Sequence, residues 1–393
     1  MYDPKSLKAE EFIDHEEILA SLAYADEHKD DLPLIDESLE KAKLRKGLSH
    51  RDASVLLACE NPEKVQEIYA LAEQIKKDFY GNRIVMFAPL YLSNYCVNGC
   101  TYCPYHAINK HIPRKKLTQE EIRAEVIALQ DQGHKRLALE AGEDPIHNPI
   151  EYILESIQTI YSIKHKNGAI RRVNVNIAAT TVENYRKLHD AGIGTYILFQ
   201  ETYHKESYEQ LHPWGPKHDY AYHTEAMDRA MEGGIDDVGL GVLFGLDKYR
   251  YEFAGILMHA EHLEAVHGVG PHTISVPRIC PADDIDPSAF SNAISDDTFA
   301  KIVACIRIAV PYTGMIVSTR ESQRCRERVL HLGISQISGG SRTSVGGYTE
   351  EERPEDTVQF DISDRRSLDE VVCWLMEMGY VPSFCTACYR EGR

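Results

Sequence analysis

The sequence predicts an α/β fold: a parallel (β/α)8 barrel of TIM type, with an N-terminal helical extension and a shorter C-terminal extension. Three observations carry this. From about residue 84, eight short apolar runs alternate with amphipathic helical stretches over roughly 250 residues, the usual size of such a barrel. Nearly every apolar run ends in polar or glycine-rich sequence, and in a parallel barrel those ends converge on the face where chemistry sits. The first eighty residues, by contrast, are charged and helical in pattern. A doubly wound open sheet shares the alternation and is the alternative. The expected division is 1–80 for the helical extension, 81–340 for the barrel and 341–393 for the C-terminal extension.

In the first segment, Ser49 with Asp52 reads as a capping box and Asn61-Pro62 as a helix start. Val65, Ile68, Tyr69, Ala72, Ile75 and Phe79 then recur at helical spacing, one buried stripe. Strands are expected at 84–87, 136–139, 172–177, 196–199, 238–243, 272–276, 315–317 and 335–337. Helices are expected over 119–132, 149–165, 182–190, 220–231, 251–266, 296–309 and 321–330, the first capped by Thr118 with Glu121. Gly133, Gly168, Gly192, Gly233 and Gly333 follow helices and are expected to be left-handed there. The strand ends carry Glu140-Ala141-Gly142-Glu143, Asn176, Gln200-Glu201-Thr202, Pro277-Arg278, Thr319-Arg320-Glu321 and Ser338-Gly-Gly-Ser341-Arg342. Carboxylates and glycine pairs gather there more tightly than solubility requires.

Composition narrows the function classes. Of 393 residues, 43% are hydrophobic and 26% charged, the balance of a globular chain. Lys plus Arg number 43 against 61 Asp plus Glu, a formal net charge of −18. That excess argues against a general binder of nucleic acid or anionic membranes, which need positive charge. No apolar run approaches the roughly 20 residues that span a bilayer, and the N-terminus has no apolar signal-peptide core. The expectation is a cytoplasmic protein in a reducing compartment. Its ten cysteines then serve as ligands, catalysts or core residues rather than disulfides.

Cys96-Val-Asn-Gly-Cys100-Thr-Tyr-Cys103 follows the first expected strand, in the loop at its C-terminal end. A fixed triplet of this kind arises by chance in roughly one such chain in 150, a bare C-x-x-C in about one in four. Three thiolates on a short loop can hold three corners of a cubane iron–sulfur cluster. With no fourth cysteine nearby, one iron stays open, and an open metal position is where a substrate or cofactor binds. Zinc is the alternative, with His106 three residues past Cys103 as a further ligand.

The pattern C-x-x-x-C-x-aromatic-C, with Tyr102 as the aromatic, resembles that of the radical S-adenosylmethionine (SAM) superfamily. The resemblance covers nearly the whole chain. It is nearest to the tyrosine lyases of FeFe-hydrogenase maturation (the HydG type), then to the thiamine-pathway tyrosine lyase (the ThiH type). It is carried by CVNGCTYC, RKKLT, LEAGEDP, VNVNIAATTVENYRKLHDAGIGTY, FQETYH, DVGLGVLFGL, PHTISVPRI, STRESQRCRERVLHLGISQISGGSRTSVGGY and the terminal CTACYREGR.

The resemblance implies a [4Fe–4S] cluster on Cys96, Cys100 and Cys103, with an open iron that chelates SAM and, on reduction, gives a 5′-deoxyadenosyl radical. Ala141-Gly142-Glu143 stands where the superfamily usually has Gly-Gly-Glu facing the methionine amino group of SAM; the alanine is a departure. Asn176 and Glu201 resemble SAM-facing positions. Arg320, with Ser341 and Arg342, resembles the anchor of the substrate carboxylate, which an arginine grips with two parallel hydrogen bonds. An ion pair of Arg320 with Glu321 is the structural alternative. His272 resembles the barrel histidine that holds an extra iron of an auxiliary site, against an ordinary core histidine. Cys385-Thr-Ala-Cys388 resembles the start of a C-terminal auxiliary iron–sulfur cluster, which takes a third cysteine well downstream. The sequence stops at Arg393, so the expectation is a truncated or processed tail and a second cluster that is lost or incomplete. Cys59, Cys280, Cys305, Cys325 and Cys373 sit at no ligand spacing and read as core or incidental.

The implied activity is cleavage of the Cα–Cβ bond of L-tyrosine, begun by hydrogen abstraction at the amino group. It gives p-cresol and dehydroglycine, the latter going on to carbon monoxide and cyanide for the hydrogenase H-cluster. One alternative is the thiamine-pathway 2-iminoacetate synthase, against which the Cys385/Cys388 pair argues. Another is a non-catalytic iron–sulfur or zinc carrier, which would not need the strand-end sequences. The implied partners are a low-potential electron donor, flavodoxin or ferredoxin, and other hydrogenase maturation proteins. Lys110, His111, Arg114, Lys115 and Lys116 oppose the acidic average directly after the thiol loop. They read as a docking patch for that acidic donor, or more plainly as a solvated loop.

Overall fold

The computed structural model describes residues 1–166, 168–349 and 357–384. Among these, nine strands form one parallel sheet: β1 (Arg83–Ser93), β2 (Arg136–Ala141), β3 (Arg172–Asn176), β4 (Tyr196–Ile197), β5 (Val238–Gly241), β6 (Thr273–Ser275), β7 (Gly314–Val317), β8 (Gln336–Ser338) and β9 (Val381–Ser383). Each of β1 to β8 pairs with the next, and β1 pairs with both β8 and β2, which closes an eight-stranded barrel. Closure excludes the open sheet. β4 is short, yet its ladder continues past the strand: Leu198 N–H donates to Gly239 O (3.1 Å) and Gln200 N–H to Gly241 O (2.8 Å).

The strands read as near-continuous apolar runs because both of their faces are covered, one by helices and one by the barrel interior. Val173, Val175, Val238, Ile274, Met315 and Ile337 are fully buried. Thr118 and Glu121 form both halves of the capping box on the helix Gln119–Asp131. The helix expected over 220–231 breaks at Glu225 into Tyr220–Thr224 and Ala226–Glu232. The helices Lys205–Leu211 and Leu368–Glu377 were not anticipated. Gly133 and Gly192 are left-handed as expected; Gly234 takes that role in place of Gly233, and Gly168 and Gly333 do not adopt it.

The helical extension packs on the barrel helices Tyr249–His267 and Asp296–Ala309. Its stripe is buried at Ile68, Ala72 and Ile75, but Lys76 joins them. The Lys76 ammonium donates to Leu330 O (2.7 Å) and lies 4.0 Å over the Tyr380 ring. At the other end of the chain, residues past β8 return to the barrel. Gln359 N–H donates to Thr343 O (2.9 Å), Tyr91 OH donates to Gln359 Oε1 (2.7 Å), and β9 pairs with Arg83–Val85 of β1. Among the described residues no helix is long and apolar enough to cross a membrane.

Candidate active site

The loop after β1 brings Cys96, Cys100 and Cys103 to the wall of a cavity of about 170 Å³ at the C-terminal strand ends. Its path is fixed by backbone contacts. Val97 N–H donates to Glu143 O (2.8 Å), Ala107 N–H to Asn98 O (2.8 Å) and Gly142 N–H to Ser93 O (3.1 Å). A Cβ on Gly142 would run into the Tyr95 carbonyl oxygen, and one on Gly99 into the Trp214 ring. Arg114 staples the two ends of the loop. Its guanidinium donates to Asn94 O (2.6 Å) before the thiols, and to Tyr105 O (2.8 Å), His106 O (2.7 Å) and Asn109 O (3.1 Å) after them. Lys116 is likewise engaged, donating to His147 O and lying 3.9 Å over the Tyr152 ring. Arg114 and Lys116 therefore do not belong to an outward basic patch; Lys110 and His111 are exposed.

Burial pushes all three thiols up, Cys103 to about 11, so without a positive partner they stay protonated. Each lies close enough to feel the charge of at least one other. Yet among the described residues no three His, Cys, Asp or Glu side chains stand near enough to hold a single ion. Ligands of one zinc crowd around one atom, whereas three thiolates of a cubane bind three different irons and stand further apart. Three soft thiols from one loop are the donor set that a cubane cluster takes. His106 turns away, its Nε2 3.4 Å from Asp284.

The remaining walls of this chamber include Tyr102, Ala141, Gly142, Glu143, Asn176 and Glu201. Glu143 accepts from Asn98 Nδ2 (2.6 Å). Tyr102 OH meets His212 Nε2 at 2.7 Å. Lys217, which nothing in the sequence pattern singles out, lies 2.8 Å from Glu201. Burial opposes its charge, but the Glu201 carboxylate beside it holds it protonated.

A second chamber of about 100 Å³ lies deeper in the barrel and shares Tyr91, Glu140, Asn176, Phe199, Arg320 and Phe360 among its walls. Arg320 stacks 3.5 Å over the Phe360 ring. Glu321 is taken by Arg278, whose Nε donates to its Oε1 (3.0 Å), and among the described residues no carboxylate ion-pairs with Arg320. Ser341 Oγ lines this chamber, buried and without a hydrogen-bond partner among the described residues. Arg342 does not line it: side chains alternate along an extended segment, and Ser341 and Thr343 take the inward positions. The Arg342 N–H donates to Tyr348 OH (3.1 Å).

His272 stands just before β6, at the opposite end of the barrel from the thiols, with Nδ1 3.3 Å from Asp237. Cys385 and Cys388 lie outside the described residues. Cys280, read from sequence as incidental, lines the thiol chamber. Gln359 and Phe360 were also missed, because residues following the last barrel strand carry no signal that they re-enter the barrel.

A closed parallel barrel with three thiols at its mouth, and inside it an arginine that makes no carboxylate ion pair among the described residues, has the layout of a barrel enzyme with a polar, thiol-lined cavity. Comparisons with known proteins narrow this. Residues 90–260 match the Radical SAM superfamily model and residues 275–381 the Biotin and Thiamin Synthesis associated domain. The chain is 30% identical over 346 residues to 2-iminoacetate synthase of Salmonella typhimurium (strain LT2), covering 88% of this chain and 89% of that one. It superposes with TM-score 0.93 and 58% identity on a crystal structure of HydG, a maturase of the [FeFe]-hydrogenase, covering 97% of this chain and 82% of that one. With HydG from Carboxydothermus hydrogenoformans the values are 0.88 and 42%, covering 98% and 86%. The chain belongs to the radical SAM superfamily, in the lyase family that contains HydG and 2-iminoacetate synthase.

Proposed function

We propose that this chain cleaves the Cα–Cβ bond of L-tyrosine to p-cresol and dehydroglycine, and that the latter supplies carbon monoxide and cyanide for the FeFe-hydrogenase H-cluster. The observation that carries this is Arg320: a guanidinium inside the barrel, stacked on Phe360, with no carboxylate partner among the described residues. An amino-acid carboxylate completes it with two parallel hydrogen bonds.

Cys96, Cys100 and Cys103 would hold the [4Fe–4S] cluster, with SAM against Ala141-Gly142-Glu143, Asn176 and Glu201. The bound pair supplies a 5′-deoxyadenosyl radical when one electron reaches the sulfonium. The chain's own residues do the rest. Arg320 and Ser341 fix the substrate carboxylate, and Tyr91, Phe199 and Phe360 wall the junction of the chambers against water. Cys385 and Cys388 would supply ligands to a second cluster, with His272 at the far end of the barrel as a ligand for an extra iron. The electron donor, a flavodoxin or ferredoxin, docks beside the thiol loop at the exposed Lys110 and His111. Other hydrogenase maturation proteins take the product. The reaction is placed in the cytoplasm.

The test is anaerobic reconstitution with iron and sulfide, then SAM, dithionite and L-tyrosine. p-Cresol and 5′-deoxyadenosine are expected, and both are lost in Cys96→Ala. Cys388→Ala keeps p-cresol. A reduced, SAM-binding cluster that yields neither product with tyrosine overturns the reading.

A further inference from the structure

Among the carboxylates lining the two chambers, Glu140 alone faces both. It stands near the end of β2, level with Tyr91 on β1 and Asn176 on β3. Asn176 and Arg320 are both close enough to favour its charged form. Tyr91 and Tyr105 are the other titratable groups facing it. Arg320 forms no ion pair with it, so its carboxyl remains available to a ligand between them. An α-amino acid held by Arg320 through its carboxylate carries its amino group two bonds further on, at the junction where Glu140 sits.

The charge state of that amino group matters to the reaction. An ammonium N–H is a poor hydrogen-atom donor, because its homolysis leaves positive charge on an electron-deficient nitrogen. A neutral amine donates far more readily. The substrate must therefore shed a proton before the radical meets it, in a chamber closed to water. We propose that Glu140 is a further catalytic residue: its carboxylate takes one proton from the substrate's α-ammonium group and keeps it while the neutral amine gives up a hydrogen atom. One N–H bond breaks heterolytically and one O–H bond forms; no electron is transferred. The proposal rests on the amino-acid lyase reading above.

The electrostatics agree. Burial raises the Glu140 carboxyl to about 8, against the opposing pull of Asn176 and Arg320. A chain-terminal α-amino group titrates at roughly 8, and a free amino acid's own carboxylate raises its ammonium above that; Arg320, by neutralising this carboxylate, brings the two groups closer to level. At pH 7 the free carboxyl already holds a proton, and an arriving ammonium must expel one to solvent, leaving one proton shared by the pair.

The experiment uses the cluster-loaded, SAM-bound protein and two ligands, L-tyrosine and its deamino analogue 3-(4-hydroxyphenyl)propionate. Calorimetry in buffers of different ionisation enthalpy counts protons. The wild type is expected to release about one proton at pH 7 on binding tyrosine and none on binding the analogue. Glu140→Gln releases none with either. Its p-cresol rate falls about 100-fold at pH 7 and climbs roughly tenfold per pH unit as free amine becomes available. Glu140→Asp, which keeps the carboxyl, retains the proton release. A Glu140→Gln enzyme within threefold of wild type at pH 7, or one whose loss is the same at every pH, overturns the role. So does a wild type that releases no proton with tyrosine, whether or not the glutamine variant folds. A wild type that cleaves tyrosine normally while failing these tests overturns the Glu140 role alone. One that neither binds nor cleaves tyrosine overturns the substrate reading and the Glu140 role together.

Discussion

Lys217 Nζ lies 2.8 Å from Glu201 Oε1 inside the thiol chamber, and the two come from quite different places in the chain. Glu201 follows β4 in a left-handed backbone conformation (φ 68°), a strained position for a residue with a side chain. Lys217 rides on a short turn, Pro216–His218. Removing either partner strands a buried charge. Lys217→Met and Glu201→Gln should each destabilise the protein by about 3–5 kcal/mol, and the double variant by less than the sum. Denaturant unfolding of the three variants reads this directly.

Arg114 and Lys110 are both cations near the thiol loop, but only Arg114 holds it. Arg114→Lys should leave carbonyls unsatisfied, destabilise the loop by about 3 kcal/mol and lower the iron retained after reconstitution. Lys110→Glu should leave iron content unchanged and slow reduction by a flavodoxin. Iron assay and stopped-flow reduction separate the two effects.

Gly142 and Ala141 make an opposed pair of tests. Gly142→Ala would push a methyl group into the Tyr95 carbonyl oxygen, a backbone atom with nowhere to move. Cluster loading should fail, seen as loss of the iron–sulfur absorption band. Ala141→Gly should change loading and activity by less than twofold.

Arg320→Lys replaces a planar fork with a point charge. The loss of one charged hydrogen bond, about 1.5–3 kcal/mol, should lower kcat/KM for tyrosine by about 10- to 100-fold. Most of the change should appear in KM.

Glu252 supports the segment after β4 from behind, accepting from Thr202 OH and from Tyr203 N–H (2.7 Å). Burial raises its carboxyl to about 8 despite those donors. In the unfolded chain a glutamate titrates near 4.3. Between those values the folded state holds a proton that the unfolded state has lost, so this group's contribution to stability falls as pH rises from about 4.3 to 8. Glu252→Gln should flatten that slope. Urea midpoints for both proteins at pH 5, 6, 7 and 8 check it.

The barrel was legible because its signal is local and repeated. Each apolar run packs on both faces, so burial leaves its mark in consecutive residues, and strands emerged at all eight expected places. The thiol loop was legible because all three cysteines sit on one short loop. Gly142, Glu143 and Arg320 were legible because strand ends of a parallel barrel converge on one face. Elsewhere the sequence misled. Arg114 and Lys116 looked like surface charge, since a cation buried against backbone carbonyls has the same local sequence as one in solvent. An ion pair of Glu321 with Arg320, its neighbour, was the alternative reading, and Arg278 takes Glu321 from another strand end instead.

By itself, then, the sequence determined the barrel, the three-thiol loop and the strand-end polar groups, because helical and strand periodicities and short motif spacings are properties of neighbouring residues. Only the tertiary structure decided which groups meet: Lys217 with Glu201, Arg114 with the loop carbonyls, Glu140 near an Arg320 that has no carboxylate ion pair among the described residues, and Phe360 returning to stack on that arginine. None of those pairings follows a helical or strand period, so none leaves a local mark in the sequence; folding brings the groups together, and burial rather than sequence distance sets their strength.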